Sequence, residues 1–216
     1  MTNWGKKHFK QEDREEVIEY ARRLIQAKSY NPPGDETRAA KISAEILERA
    51  GFQVSVDEFE KNRVNVCGIY GNPEDIALIL NGHLDVVPAY GQWEKDPSSG
   101  ERENGILYGR GSCDMLGGAA AILKAAEVIG RNHVEAKRGV MILLVADEED
   151  QNRGIRHILG RQKLKADYAV IAEPTECEIQ LGNRGFSSFY IRTTGIGCHA
   201  SEPWNGVNAI YKMGEI

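Results

Sequence analysis

With 216 residues, 41% hydrophobic content and a formal net charge of −5, the chain has material for a buried core and no basic excess of the kind nucleic-acid binding leaves. Its four cysteines, Cys67, Cys113, Cys177 and Cys198, lie far apart with no CxxC pair, which argues against a disulfide framework and suits a reducing compartment. The N-terminal MTNWGKKHFKQEDREE lacks the apolar stretch of a signal peptide, and the longest apolar run, 140–146, is far too short to span a bilayer; a cytoplasmic protein with no membrane partner is expected.

In chain order, residues 12–28 place Val17, Ile18, Ala21, Leu24 and Ile25 at helical spacing. SYNPPGDE then breaks the helix. A second helix carries Ala39, Ile42, Ile46 and Leu47 on one face, and Gly51 stands where a left-handed stop belongs. Strands are predicted at 52–58, 64–70 and 76–81. The segment 82–107, with Trp93, Pro88 and Pro97, reads as a long functional loop. A third helix spans about 115–130 and opens on Gly117-Gly118. GVMILLVA at 139–146 has the continuous apolar pattern of a strand buried on both faces. A helix near 152–160 and a strand at 167–172 follow. This alternation predicts an α/β fold: a mostly parallel, mixed sheet with helices on both faces. Composition changes after about residue 178. FSSFYIRTT at 186–194 reads as a strand and 208–216 as the start of a helix, so the chain divides into 1–178 and 179–216.

The chemistry gathers at strand ends. Ligands of open parallel sheets bind beyond the carboxyl ends of the strands. His83 follows strand 76–81, Glu148 and Glu149 follow strand 139–146, and Glu173 follows strand 167–172. Asp114 arrives in the Gly-rich turn that opens the third helix. One imidazole and several carboxylates form the ligand set of a site for two divalent metals. Asp85, two residues past His83, points the same way in an extended segment and can accept the second ring N–H of His83; the alternative is a turn residue ahead of Pro88. Of the adjacent pair Glu148 and Glu149, one can bind metal while the other serves as general base, and the acidic run 147–150 also suits a helix N-terminus.

Taken together, GHLDVVP, WEKDP, YGRGSCDMLGG, the DEE triplet, AEPT and GCHASEPWNGVNAI occur in the order found in a known family. From residue 80 onward the chain resembles the two-zinc hydrolases that include acetylornithine deacetylase, succinyl-diaminopimelate desuccinylase, aminoacylase, carboxypeptidase G and the di- and tripeptidases. The resemblance implies a zinc-peptidase-like catalytic domain followed by the start of an α+β ferredoxin-like lid or dimerisation domain. It implies that His83 and Glu173 hold one ion, Asp114 bridges, Glu149 holds the second, Glu148 is the general base and Asp85 orients His83. His199 would come from the lid, often that of a partner subunit, to steady the oxyanion. The ions would be zinc, with cobalt or manganese as alternatives, and the whole protein a homodimer. The substrate would be an N-acyl amino acid or, alternatively, a short peptide. Asp114, Glu149, Glu173 and one hydroxide would balance the charge of two Zn²⁺.

Three positions depart from the family pattern: Leu116 replaces the Lys that often follows the Asp-Met pair, Ser98 follows Asp-Pro where Phe is usual, and DQNRG replaces a Gly-rich turn. None is an expected ligand. The second ion has only Glu149 and Asp114 from this chain, one protein ligand short of the usual zinc set. The expectation is therefore the N-terminal half of a longer enzyme, inactive by itself, or a non-catalytic remnant that binds at most one metal tightly.

Overall fold

A computed structural model describes residues 7–161, 163–185, 187 and 189–216. The chain forms two units, Met1–Cys177 and Glu178–Ile216.

The first unit begins with helix α1 (Gln11–Ile25), whose start is fixed by Asp13: its carboxylate accepts the Lys10 backbone N–H at 2.6 Å. The helix stops short of the expected residue 28, because Lys28 turns to φ 61°. Helix α2 (Thr37–Arg49) closes at Gly51, which adopts φ 81° as its position predicts. Strands β1 (Gln53–Glu60) and β2 (Arg63–Tyr70) make a hairpin, followed by β3 (Ile76–His83). Within the long loop, β4 (Arg102–Glu103) and β5 (Ile106–Leu107) pair across Asn104 and Gly105, both at positive φ as a two-residue hairpin turn needs. Helix α3 (Leu116–Arg131), strand β6 (Gly139–Val145), helix α4 (Arg153–Arg161) and strand β7 (Tyr168–Ile171) complete the unit.

The main sheet runs β1-β2-β6-β3-β7. Strands β6, β3 and β7 are mutually parallel, whereas β1 with β2 and β2 with β6 are antiparallel. The apolar run of β6 lies in the middle. Its Ile142 and Leu144 face a core built with Leu24 of α1, Leu47 of α2 and Leu123 of α3. Its Met141, Leu143 and Val145 face the opposite side, where Ile158 of α4 packs. Helices thus cover both faces, and the period of two in β6 decides which core each side chain joins. The mixed directions have a local consequence. The parallel strands bring their carboxyl ends to one edge, and β2, running the other way, brings its first residue, Arg63, to that edge.

In the second unit, Ile196 and Val207 form an isolated bridge, Pro203–Asn205 makes a 3₁₀ turn, and helix α5 (Ala209–Met213) is capped by the Asn208 side chain. The strand expected across 186–194 is not formed by its described residues; Phe186 and Ser188 lie outside them. Residues 189–194 have no pairing partner among the described residues, and Phe189 and Tyr190 are exposed. Among the described residues, no helix is long and apolar enough to cross a membrane.

Candidate metal centre

His83 is the last residue of β3, and its ring is buried. Nδ1 lies 2.8 Å from the backbone oxygen of Asp85, so that carbonyl accepts the Nδ1–H. This leaves Nε2 facing a group of carboxylates: Asp114 Oδ1 at 3.2 Å, Glu173 Oε1 at 3.6 Å and Glu148 Oε2 at 3.9 Å. Glu149 also offers an oxygen within 4.8 Å of both His83 and Asp114. Four segments converge here: the end of β3, the turn before α3, the turn after β6 and the segment after β7.

Small residues make the convergence possible. At Gly118, in the first turn of α3, a Cβ would fall 2.1 Å from the backbone oxygen of Ala172, the residue before Glu173. Only glycine lets the Asp114 turn and the Glu173 segment approach so closely. Met115 adds a contact from its side chain, its sulfur accepting the His83 backbone N–H at 3.2 Å.

The electrostatics call for a cation. Burial raises Glu173 to about 7, with the charges of Asp114 and Glu148 adding to the shift against the pull of His83. Burial likewise raises Glu148 and Glu149. For His83, burial opposes the charged ring, but the hydrogen bond to Asp114 and the charges of Asp85 and Glu173 outweigh it and hold the imidazole up to about 9. Asp114 is lowered, first by its hydrogen bond with His83. Carboxylates crowded against one imidazole nitrogen are a donor set that a divalent ion fits.

Asp85 differs from its expected part in one respect. Its carboxylate stands 3.7 Å from His83 Nδ1, and its hydrogen bonds go elsewhere. Oδ1 accepts the Glu148 backbone N–H and Oδ2 that of Glu149, each at 3.1 Å. The side chain therefore fixes the Glu148–Glu149 turn, while the main chain of the same residue orients the ring. The turn itself precedes α4, which starts only at Arg153, so Glu148 and Glu149 are not in a helical first turn.

Behind Asp85 lies a buried polar network. The Asn31 Nδ2 group donates to Asp85 Oδ2 at 2.8 Å and to Asp147 Oδ1 at 3.0 Å. Arg63 donates to both oxygens of Glu36, at 2.8 and 3.0 Å, and to Asp147 Oδ1 at 2.9 Å. Asp147 also accepts from Arg153. Asn31 and Glu36 belong to the helix-breaking SYNPPGDE, Arg63 falls between two predicted strands and Asp147 opens the acidic run 147–150. Nothing in the local sequence marks them as buried. Six of the seven expected site residues meet in the first unit. His199 belongs to the second, where its Nδ1 lies 2.7 Å from the Ser201 hydroxyl.

Comparison with known proteins decides the family. The model of peptidase family M20/M25/M40 matches residues 79–205. The chain belongs to this family. The M20 match contains all seven expected site residues, whereas Asn31 and Arg63 lie outside it. Acetylornithine deacetylase of Aliivibrio fischeri is 35% identical over 207 residues, covering 93% of this chain and 54% of that protein. Succinyl-diaminopimelate desuccinylase of Wolbachia sp. subsp. Brugia malayi is 34% identical over 210 residues, covering 91% and 52%. The chain thus spans about half the length of the curated relatives it matches. Human carnosine dipeptidase 1 superposes with a TM-score of 0.62 at 20% identity over 79% of this chain and 41% of its own. An M20 metallo-carboxypeptidase from Sulfolobus solfataricus gives 0.62 at 22% identity over 76% and 37%. These two share the fold.

Proposed function

We propose that this chain carries the metal centre of a hydrolase that cleaves the amide bond of N-acyl amino acids. The observation that carries the reading is the convergence of Asp114, Glu148 and Glu173 on the Nε2 of His83, within 3.2–3.9 Å. His83 and Glu173 would hold one divalent ion, Glu149 a second, and Asp114 would touch both. Zinc suits this mixture of imidazole and carboxylate, with cobalt or manganese as substitutes. Bound there, such ions supply Lewis-acid polarisation of a carbonyl and lower the pKa of water toward about 7.

The remaining chemistry belongs to side chains. Glu148 accepts the proton of the attacking water and delivers it to the departing nitrogen. Its carboxyl is raised by burial, which suits a group that both takes and returns a proton. Asp85 holds the turn that aims it. His199 would donate to the developing oxyanion. The two relatives at 34–35% identity are a deacetylase and a desuccinylase, which supports a deacylase over a peptidase. The whole protein is proposed to be a cytoplasmic homodimer acting on small substrates. Among the described residues the second ion finds only Glu149 and Asp114, so the 216-residue chain should hold one zinc tightly and show no amidase activity.

The test is amine release from N-acetyl and N-succinyl amino acids, with dipeptides alongside, by the protein as its gene encodes it. Turnover of the acyl substrates that disappears in Glu148→Ala supports the reading. Faster turnover of dipeptides moves it to peptidase. Bound metal with no turnover of either class contradicts it and leaves a metal-binding remnant.

A further inference from the structure

Resting on the metal-centre reading above, we infer that Asn31 is a positioning residue for the centre, acting through Asp85 on the Glu148–Glu149 turn. The residue touches no expected ligand. It is 2% exposed, and its one amide nitrogen serves two carboxylates, those of Asp85 and Asp147. Both acids are fully buried. Without a donor between them they would repel each other across a medium that screens poorly.

The consequence reaches the site in one step. The same Asp85 oxygen that accepts from Asn31 also accepts the Glu149 backbone N–H, and its other oxygen accepts that of Glu148. Rotation of the Asp85 carboxylate would therefore release both amides at once. Asn31 prevents that rotation. The main chain secures it in turn: Asn31 N–H donates to the Val86 carbonyl at 2.8 Å, and the Ser29 hydroxyl donates to the Leu84 carbonyl at 2.5 Å. Segment 29–31 thus runs beside 84–86, the stretch that contains Asp85.

Arg63 anchors the far side. It joins Glu36 and Asp147, and Gly34, at φ 87°, passes so near that a Cβ there would fall 2.2 Å from Arg63 Nη1. The Pro-rich segment is consequently the back wall of the centre. It is sequence-remote from every ligand yet hydrogen-bonded to the residue that orders two of the glutamates.

The experiment is a double-mutant cycle on the 216-residue chain with Co²⁺, whose visible spectrum reports ligand geometry: wild type, Asn31→Ala, Asp85→Ala and the double variant. Urea unfolding midpoints are measured on the same proteins. Asn31→Ala is expected to weaken Co²⁺ binding about tenfold, the low end for groups that support ligands from behind, and to alter the spectrum. Added to Asp85→Ala, it is expected to cost little more, since its action runs through Asp85. An additive loss of affinity, or a lowered unfolding midpoint with affinity and spectrum unchanged, overturns the proposal and leaves Asn31 a purely structural residue. Wild-type chain that binds no Co²⁺ overturns the underlying metal-centre reading instead. If Asn31→Ala does not fold, Asn31→Ser, which leaves room for a bridging water, carries the same comparison.

Discussion

His83 and Asp85 are joined through the main chain: the ring N–H meets the Asp85 backbone oxygen at 2.8 Å, while the Asp85 carboxylate lies 3.7 Å from the same nitrogen. The tautomer of His83 therefore does not depend on the Asp85 side chain. Asp85→Ala should leave the Nδ1–H tautomer of the metal-loaded ring intact, as read from imidazole ¹⁵N shifts at saturating zinc, yet free the Glu148 and Glu149 amides and weaken metal binding about 10–100-fold. A switch of tautomer in Asp85→Ala would show that the carboxylate, and not the carbonyl, sets the ring.

Gly118 offers a test of how the segments are brought together. A methyl group there would meet the Ala172 carbonyl at 2.1 Å, too close for either backbone to accept. Gly118→Ala should push the Glu173 segment away from His83 and cut metal affinity by about tenfold or more, although no ligand is changed. Metal titration beside an unfolding curve separates this from general destabilisation. Unchanged affinity would mean that the approach of α3 to residue 172 does not place Glu173.

Several parts of this arrangement were legible in the sequence. The placement of His83, Glu148 and Glu173 at or just past the ends of strands follows from apolar runs and the rule that parallel strands present their carboxyl ends together. Gly51 announced the end of α2 by its type alone. The antiparallel entry of β2 was not legible, because VNVCGIY alternates no differently in either direction; yet that direction is what delivers Arg63 to Asp147. Asn31 and Glu36 fall in the helix-breaking segment and Arg63 between two predicted strands, and their burial was not legible, since burial of a polar group is decided by partners that lie up to 116 residues away. The strand expected at 186–194 had the right composition, but pairing is a property of a neighbour that composition does not provide.

The charge on His83 makes binding pH-dependent with a definite sign. Its ring is held protonated up to about pH 9, and a metal ligand must be neutral at the bound nitrogen. Zinc or cobalt entering at pH 7 must therefore displace a proton. Calorimetry in buffers of different ionisation enthalpy should count at least one proton released, from His83, with a further fraction from Glu173, raised to about 7, and apparent affinity should rise with pH until about 9 and then level. Binding without proton release at pH 7 would place the ion away from His83.

Glu148 and Glu149 are adjacent, both raised by burial and both within reach of His83, Glu149 beside Asp114 and Glu148 beside Glu173, and variants of each test the proposed division into base and ligand. In the whole protein Glu148→Ala should lower turnover by about 10²–10⁴ or more while leaving metal content nearly unchanged. Glu149→Ala should lose metal. If the two variants lose metal equally, the division into base and ligand is wrong. Asp114→Ala should release both ions, whereas His83→Ala should mainly weaken one; equal and independent losses would argue against a shared carboxylate.

Zinc titration of the 216-residue chain, followed by calorimetry and checked against His83→Ala, is the most direct measurement of all. The expected result is one tight zinc, lost in His83→Ala, because Asp114 and Glu173 stand 3.2 and 3.6 Å from His83 Nε2, while under the proposed assignment the second ion would find, among the described residues, only Glu149 and the shared Asp114. No tight zinc, or a tight zinc that survives His83→Ala, would contradict the assignment of this cluster as the metal centre.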